Sequence, residues 1–473
     1  MAALLLLAPA AARGYDQQIT STLWARGYAV PAADGSLISR RRIVEDLHLA
    51  AWNIIDGSDD PYYQGPRLAV ELALTIDTDF AVGGSESDPG NQSSYVPGLT
   101  PLQMDLMFFH LHATGLLDGA LDLRVGRQVR VGTLGFFAFD GAETVLHLPV
   151  GASFCTWLGY EMRGGQALGY DALELDGTDS GGRQGMEADR YPDRTEPDRR
   201  LAVGTELGWT PRRWLDAGVA LRVVGLSGTV AEQRYGARLA LGRAPLRAGG
   251  RVAVDPLFVR RDDTNAAARE GALVSEADAA LEVIPSERFA VAVEYHLFRP
   301  IFEADSIFNV FDLAAQNDAG VRVELAVVPA LRLAGWGFAR LSDGSAGLSG
   351  REDDALLAGV GGGLGGGFRG DHRDVSARLT GVREWGETRV GAELGGGQGF
   401  VHDRLRLALR VSAWHLGDSY SERLAGDVIG YAASVRMRVG DGAELLGEFE
   451  NYYGGGQEPR FAVLGLLRLD LWR

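Results

Sequence analysis

His110 and His112 lie two residues apart in FFHLHAT, a spacing that puts both imidazoles on one face of a strand. Two such nitrogens hold a transition metal only when a third ligand joins them, and no neighbouring residue supplies one. The sequence has no Gly-Xaa-Ser-Xaa-Gly elbow, no phosphate loop and no zinc signature, so hydrolysis would need a dispersed Ser, His and Asp set. Charge at alternate positions is the more frequent pattern. Glu276, Asp278 and Glu282 share one parity, with Glu294 and Glu324 following. Arg332 and Arg340 come next, and Arg406, Arg410, Arg436 and Arg438 form a basic group opposite Glu448 and Glu450. Arg124, Gln128 and Arg130 make an earlier basic strip. Basic and acidic walls across a narrow lumen orient polar solutes and select ions. The same side chains, paired across neighbouring strands, would only satisfy a polar interior.

The elements that carry these residues read as strands. RLAVELALTIDTDF (67–80), RFAVAVEYHLF (288–298), DRLRLALRVSAWHL (403–416) and RFAVLGLLRLDLWR (460–473) alternate apolar and polar positions. In the last of these Phe461, Val463, Leu467, Leu469 and Leu471 form one stripe. Most such runs have about ten to fourteen residues, beyond the usual five or six of soluble strands and close to a tilted membrane-spanning strand. Tight turns at 116–119, 149–151, 211–213, 243–245, 285–287, 329–330, 370–373 and 441–442 alternate with longer polar connections. Those are 83–101, 132–141, 164–199, 262–270, 300–317, 342–354 and 417–425. Short turns on one side and long loops on the other are expected of a bacterial transmembrane barrel. The expectation is an all-β, antiparallel up-and-down barrel of about 22 strands, range 18–22, occupying 19–473 as a single domain. No separate N-terminal plug is expected, since fewer than twenty residues precede the first candidate strand.

Composition agrees. No apolar run reaches the ~20 residues of a membrane helix, and glycine, 65 of 473, is about twice its ordinary usage. A net charge of −17 argues against a nucleic-acid partner. All 46 basic residues are arginine, which suits fixed, always-charged wall positions and also reflects a GC-rich genome. The single Cys155 excludes an internal disulfide and reads as inert packing. MAALLLLAPAAA (1–12) reads as the apolar part of an export signal lacking its basic start. Trp209 and Trp214 around one tight turn, and Tyr452 with Tyr453 at a tip, suit interfacial girdles. Trp336, Phe338 and Trp414 share the parity of the inward arginines, and GVGGGLGGGF (359–368) is a strand stripped of inward side chains.

LRVGRQ (123–128) followed by FDGA (139–142) resembles a strand-and-loop signature of porin-like outer-membrane barrels, including the alginate-export and substrate-selective porin families. The resemblance implies an outer-membrane channel for small hydrophilic or charged solutes, inserted by the barrel-assembly machinery and surrounded by outer-membrane lipid. Those relatives usually have 16 or 18 strands and end in an aromatic residue, whereas here Arg473 follows Trp472. A closed barrel serving as a surface adhesin or structural protein is the rival reading, with saccharide export or a membrane-embedded hydrolase behind it. No cofactor and no enzymatic activity are expected.

Overall fold

The computed structural model describes residues 16–31, 37–54, 65–79, 102–162, 200–226, 229–256, 258–261, 267–270, 273–298, 316–343, 356–384, 387–418, 425–440, 442–454 and 457–472. The export signal read at 1–12 and the long connection at 164–199 lie outside them.

The chain begins with β1 (Asp16–Pro31), β2 (Leu37–Trp52), β3 (Arg67–Asp79), β4 (Leu102–Gly115), β5 (Leu121–Gly132) and β6 (Gly135–Leu148). It continues through β7 (Ala152–Glu161), β8 (Leu201–Arg212), β9 (Leu215–Leu226), β10 (Thr229–Arg243), β11 (Leu246–Asp255), β12 (Phe258–Arg261) and β13 (Ala267–Glu270). Next come β14 (Leu273–Ser286), β15 (Phe289–Phe298), β16 (Gln316–Val328), β17 (Leu331–Asp343), β18 (Leu356–Arg369) and β19 (Arg373–Glu384). The last are β20 (Glu387–Phe400), β21 (Leu405–Asp418), β22 (Gly426–Arg438), β23 (Ala443–Gly454) and β24 (Gln457–Trp472). Among the described residues, strands β12 and β13 pair only with each other. The other 22 form one sheet, each antiparallel to its neighbours in sequence. Strand β1 also pairs with β24, from Gln18↔Trp472 to Tyr28↔Ala462, so the sheet closes on itself. Closure removes both edges. The fold is a 22-stranded antiparallel barrel.

Pairing register assigns the faces. Leu23 lies opposite Leu467, which lies opposite Leu445, and Leu23 and Leu445 are exposed on the outside. The stripe of Val463, Leu467 and Leu469 therefore points outward, and Arg468 and Asp470 point in. The outward row continues around the barrel: Leu364 is 68 %, Leu394 62 % and Leu379 60 % exposed.

Two connections differ from the sequence expectation. The stretch 132–141, read as an outer loop, is a two-residue turn at Thr133 and Leu134 followed by β6. The stretch 262–270 contains β13 rather than being loop throughout. The tight turns expected at one end are all present as breaks between strands, including the helical turn Leu116–Gly119 and the 3-10 turn Pro149–Gly151.

Candidate functional site

The β5–β6 hairpin leaves the wall and folds into the barrel. Strand β5 pairs with β4 only from Ala113↔Leu123 to Phe109↔Arg127, while β6 pairs with β7 only up to Phe139↔Glu161. Beyond those points residues 128–132 and 135–138 pair with each other, and one further backbone bond, from Met162 N–H to the Ala138 carbonyl at 2.9 Å, ties the hairpin to the chain after β7. Gly126 sits at the departure with φ +128, and a Cβ there would run into the Phe109 carbonyl. Only glycine fits that bend.

The hairpin packs one face on the inner wall of β7–β9. Phe137, Phe139, Cys155, Trp157, Ala202 and Val224 form a buried apolar cluster, with Phe139 fully covered. Burial of two phenylalanines stabilises the docking by about 1.5–3 kcal/mol each. Arginines close the cluster from the side: the Arg130 guanidinium lies 4.3 Å over the Trp157 ring and that of Arg222 lies 4.3 Å over Phe137. Gly204 leaves the space that the Trp157 ring fills.

Around this cluster runs a chain of ionic contacts. Arg124 meets Glu143 at 3.6 Å, and Glu143 also accepts from Arg130. Arg130 donates to Glu206 at 2.6 Å. Glu206 accepts the Thr133 hydroxyl at 2.7 Å from the hairpin tip. Arg238 donates to Thr133 Oγ1 at 3.0 Å and reaches Asp216 at 3.2 Å. Glu206 thus holds two arginines and the tip at once. Of the early basic strip, Gln128 is 1 % exposed and donates to the Gly141 carbonyl at 3.2 Å. Gln128 and Arg130 therefore anchor the hairpin rather than face open interior; the turn brings a second sheet layer over them.

The remaining charged candidates all lie on the inward parity, most of them in local pairs. Arg251 binds Glu276 and Asp278, and His296 also contacts Asp278. Arg247 meets Glu282 at 3.3 Å, and Arg322 sits between Glu294 at 4.0 Å and Glu324 at 3.6 Å. Arg340 bridges Asp318 at 2.7 Å and Glu384 at 3.2 Å. Arg406 pairs with Asp374, Arg410 with Glu450 at 2.7 Å, and Arg436 and Arg438 share Glu444 at 2.7 and 3.7 Å. Arg332 and Glu448 have no ion pair among the described residues. The two walls of opposite sign expected from the sequence become neutralised pairs, because register sets each arginine beside a carboxylate of a nearby strand. Glu143, Glu206, Arg222, Arg238, Asp374 and Glu444 were not singled out in the sequence; alternation marks them as inward, but only register reveals their partners.

Inward aromatics lie over inward glycines. Phe338 covers Gly361, Trp336 covers Gly363, Trp414 covers Gly391 and Tyr452 covers Gly430. Trp336 and Phe338 stack at 6.0 Å between centroids and 6° between planes, and Arg378 and Arg340 flank them. The glycine run of β18 is thus a seat that lets large rings lie along the wall. His110 comes within 3.8 Å of Glu71, but the described residues contain no group of three metal-ligating side chains.

No protein-family model matches this sequence, and no curated protein does either. Solved structures similar in shape include OccAB4 of Acinetobacter baumannii at 7% identity, covering 97% of this chain and 98% of that one, with a TM-score of 0.45. The outer-membrane protein OpdK of Pseudomonas aeruginosa is similar at 10% identity, with 97% and 99% covered and a TM-score of 0.44. A BenF-like porin from Pseudomonas fluorescens is similar at 9% identity, with 97% and 99% covered and a TM-score of 0.46. None of these supports the alginate-export side of the resemblance. At such scores the likeness adds nothing to the barrel already described.

Proposed function

We propose that the protein spans a bacterial outer membrane as a channel for passive diffusion of small hydrophilic or charged solutes, with no enzymatic role. One observation carries the reading: a closed barrel whose exposed outer face is apolar and whose inner face is charged. Exposed leucine and valine all round a barrel suit hydrocarbon, and a charged interior suits water. The barrel-assembly machinery and outer-membrane lipid are the partners this placement requires. The inward hairpin then acts as the constriction, because it lays a second layer across β7–β11 inside the lumen.

Placement in the bilayer has a direct check. Leu407 and Leu409 are 42% and 55% exposed on the outer face, and Ala408 lies between them on the inward parity, opposite Gly397 and Ser434. Leu409→Arg costs about 2–4 kcal/mol if the site is near the bilayer midplane, and Ala408→Arg costs much less. Reversible unfolding in lipid vesicles gives both values, and equal costs mean the faces are wrongly assigned.

Planar-bilayer recording tests the channel itself. Discrete openings are expected; their absence across many insertions favours the closed, adhesin-type barrel. Glutamine in place of Arg406, Arg410, Arg436 and Arg438 leaves Asp374, Glu444 and Glu450 without their counter-charges. The reversal potential across a salt gradient then shifts towards cations, and the shift fades near 1 M salt, where screening acts within about 3 Å. Arg410→Gln combined with Glu450→Gln removes both members of one pair and leaves the potential near its original value. Unmoved potentials for the four-arginine variant show that these residues are wall structure alone.

A further inference from the structure

Across β17–β21 two inward tryptophans stand at the ends of one row of paired residues. Trp336 pairs with Gly363, Gly363 with Thr380, Thr380 with Gly391, and Gly391 with Trp414. Four strand spacings separate the two backbones, about 19 Å. Each indole leans towards the other, Trp336 over Gly363 and Trp414 over Gly391. The rings are thereby brought to about two strand spacings, roughly 10 Å, with Thr380 between them.

The neighbouring inward row is polar. Arg378, Glu393 and Ser412 pair in turn, and Gly430 beyond Ser412 lies under the leaning ring of Tyr452. Arg378 and Glu393 are directly opposed and of opposite charge, yet they form no ion pair with each other. The guanidinium turns instead to Trp336, 5.8 Å from its ring centre. Arg340, Arg410 and Arg436 on the same side of the barrel each meet a carboxylate at 2.7 Å. Arg378 is exposed and Glu393 half-buried, so both charges are open to a solute.

We propose that Trp336, Trp414, Thr380, Arg378, Glu393 and Ser412 form a subsite for neutral saccharides on the inner wall. The proposal rests on the channel reading above and names a solute class for it.

The layout matches what a sugar presents. A pyranose ring has apolar faces of C–H groups, which lie well against aromatic rings, and a rim of hydroxyls that both donate and accept. Here aromatic rings flank the row, and hydroxyl, guanidinium and carboxylate groups occupy the floor between them. Arg378 supplies a fork of donors and Glu393 a pair of acceptors, about 5 Å apart at their backbones. Adjacent hydroxyls on one sugar can bridge the two through charge-assisted hydrogen bonds. Charge decides between solute classes. An anionic solute drawn to Arg378 meets Glu393 one strand away, whereas a neutral polyol satisfies both. Gly363 and Gly391 leave the space that each indole occupies, so the rings are placed before a solute arrives and less ordering is lost on binding.

Planar-bilayer recording of the whole protein tests this, with a linear glucose tetramer as the probe. Polyethylene glycol of similar mass and benzoate serve as controls. The tetramer is expected to interrupt the open current saturably, while polyethylene glycol does not. Its half-blocking concentration should be the same in about 0.1 and 1 M salt, because a neutral solute has no charge to screen. Trp414→Ala and the isosteric Glu393→Gln should each raise that concentration about tenfold, and Leu409→Ala on the outer face should leave it unchanged. Openings that the tetramer interrupts no more than polyethylene glycol does refute the subsite and leave the channel standing. An unchanged half-blocking concentration in both Trp414→Ala and Glu393→Gln refutes it equally. Interruption by benzoate alone assigns these residues to an aromatic acid instead. If no openings occur, the channel reading falls and the subsite with it.

Discussion

Replacing residues 129–138 with a two-residue Asn-Gly turn raises single-channel conductance several-fold. Gln128 and Phe139 are paired across the hairpin, so a type I′ turn between them closes the strands without strain. What is lost is the layer that covers Glu206, Arg222 and Arg238 and that carries Thr133, Leu134 and Phe137 into the interior. The 22-stranded wall does not depend on it, since the remaining pairs of β5 and β6 lie below residue 128 and beyond residue 139. Conductance follows the narrowest cross-section, so removing the constricting layer has the largest effect of any single change. An unaltered conductance would place the constriction elsewhere.

Glu206→Ala should unsettle the same hairpin without shortening it. The carboxylate accepts from Arg130 and Thr133 and stands 3.5 Å from Arg238. Removing one partner from a buried ionic group typically costs about 3–5 kcal/mol where the charge left behind loses its counter-ion. Here Arg130 keeps Glu143 and Arg238 keeps Asp216, so the cost falls below that range and is felt mainly at the tip, where the buried Thr133 hydroxyl loses its acceptor. The hairpin tip then moves between docked and undocked positions, and open-channel current becomes noisy with resolved sub-levels. Currents as quiet as those of the parent would show that Phe137 and Phe139 hold the hairpin unaided.

Much of the architecture was legible because it is written locally. Two-residue alternation in 67–80 or 403–416, ended by Gly- and Pro-containing turns, fixes strand length and face together. The inward parity of Glu276, Asp278, Arg406 and Arg436 follows from the same alternation. The hairpin was not legible, for a physical reason. Its strands alternate like wall strands, with Val125, Val129 and Val131 on one side and Arg124, Gln128 and Arg130 on the other. Nothing within it says whether the apolar side meets lipid or the lumen. The deciding contacts are distant in sequence: Arg130 to Glu206 spans 76 residues and Arg238 to Thr133 spans 105. The pairing of charges was hidden similarly, since Arg406 and Asp374 meet only once the registers of β19–β21 are set. The seats of Trp336 and Phe338 required the register of β17 against β18.

The closing seam bears on how the barrel can assemble. Every other wall strand pairs with the next wall strand in sequence, so hairpins can form one after another across connections far shorter than the whole chain. The β1–β24 seam differs: the Thr20 hydroxyl meets Asp470 across 450 residues. Contacts so remote reward the chain only after the ordering cost of everything between has been met. Stepwise zipping therefore ends at this seam, and until it joins, β1 and β24 each present a bare edge able to pair with other chains. A chaperone that occupies those two edges would govern the yield of folded protein, whereas substitutions inside any single hairpin would chiefly alter how fast that hairpin forms.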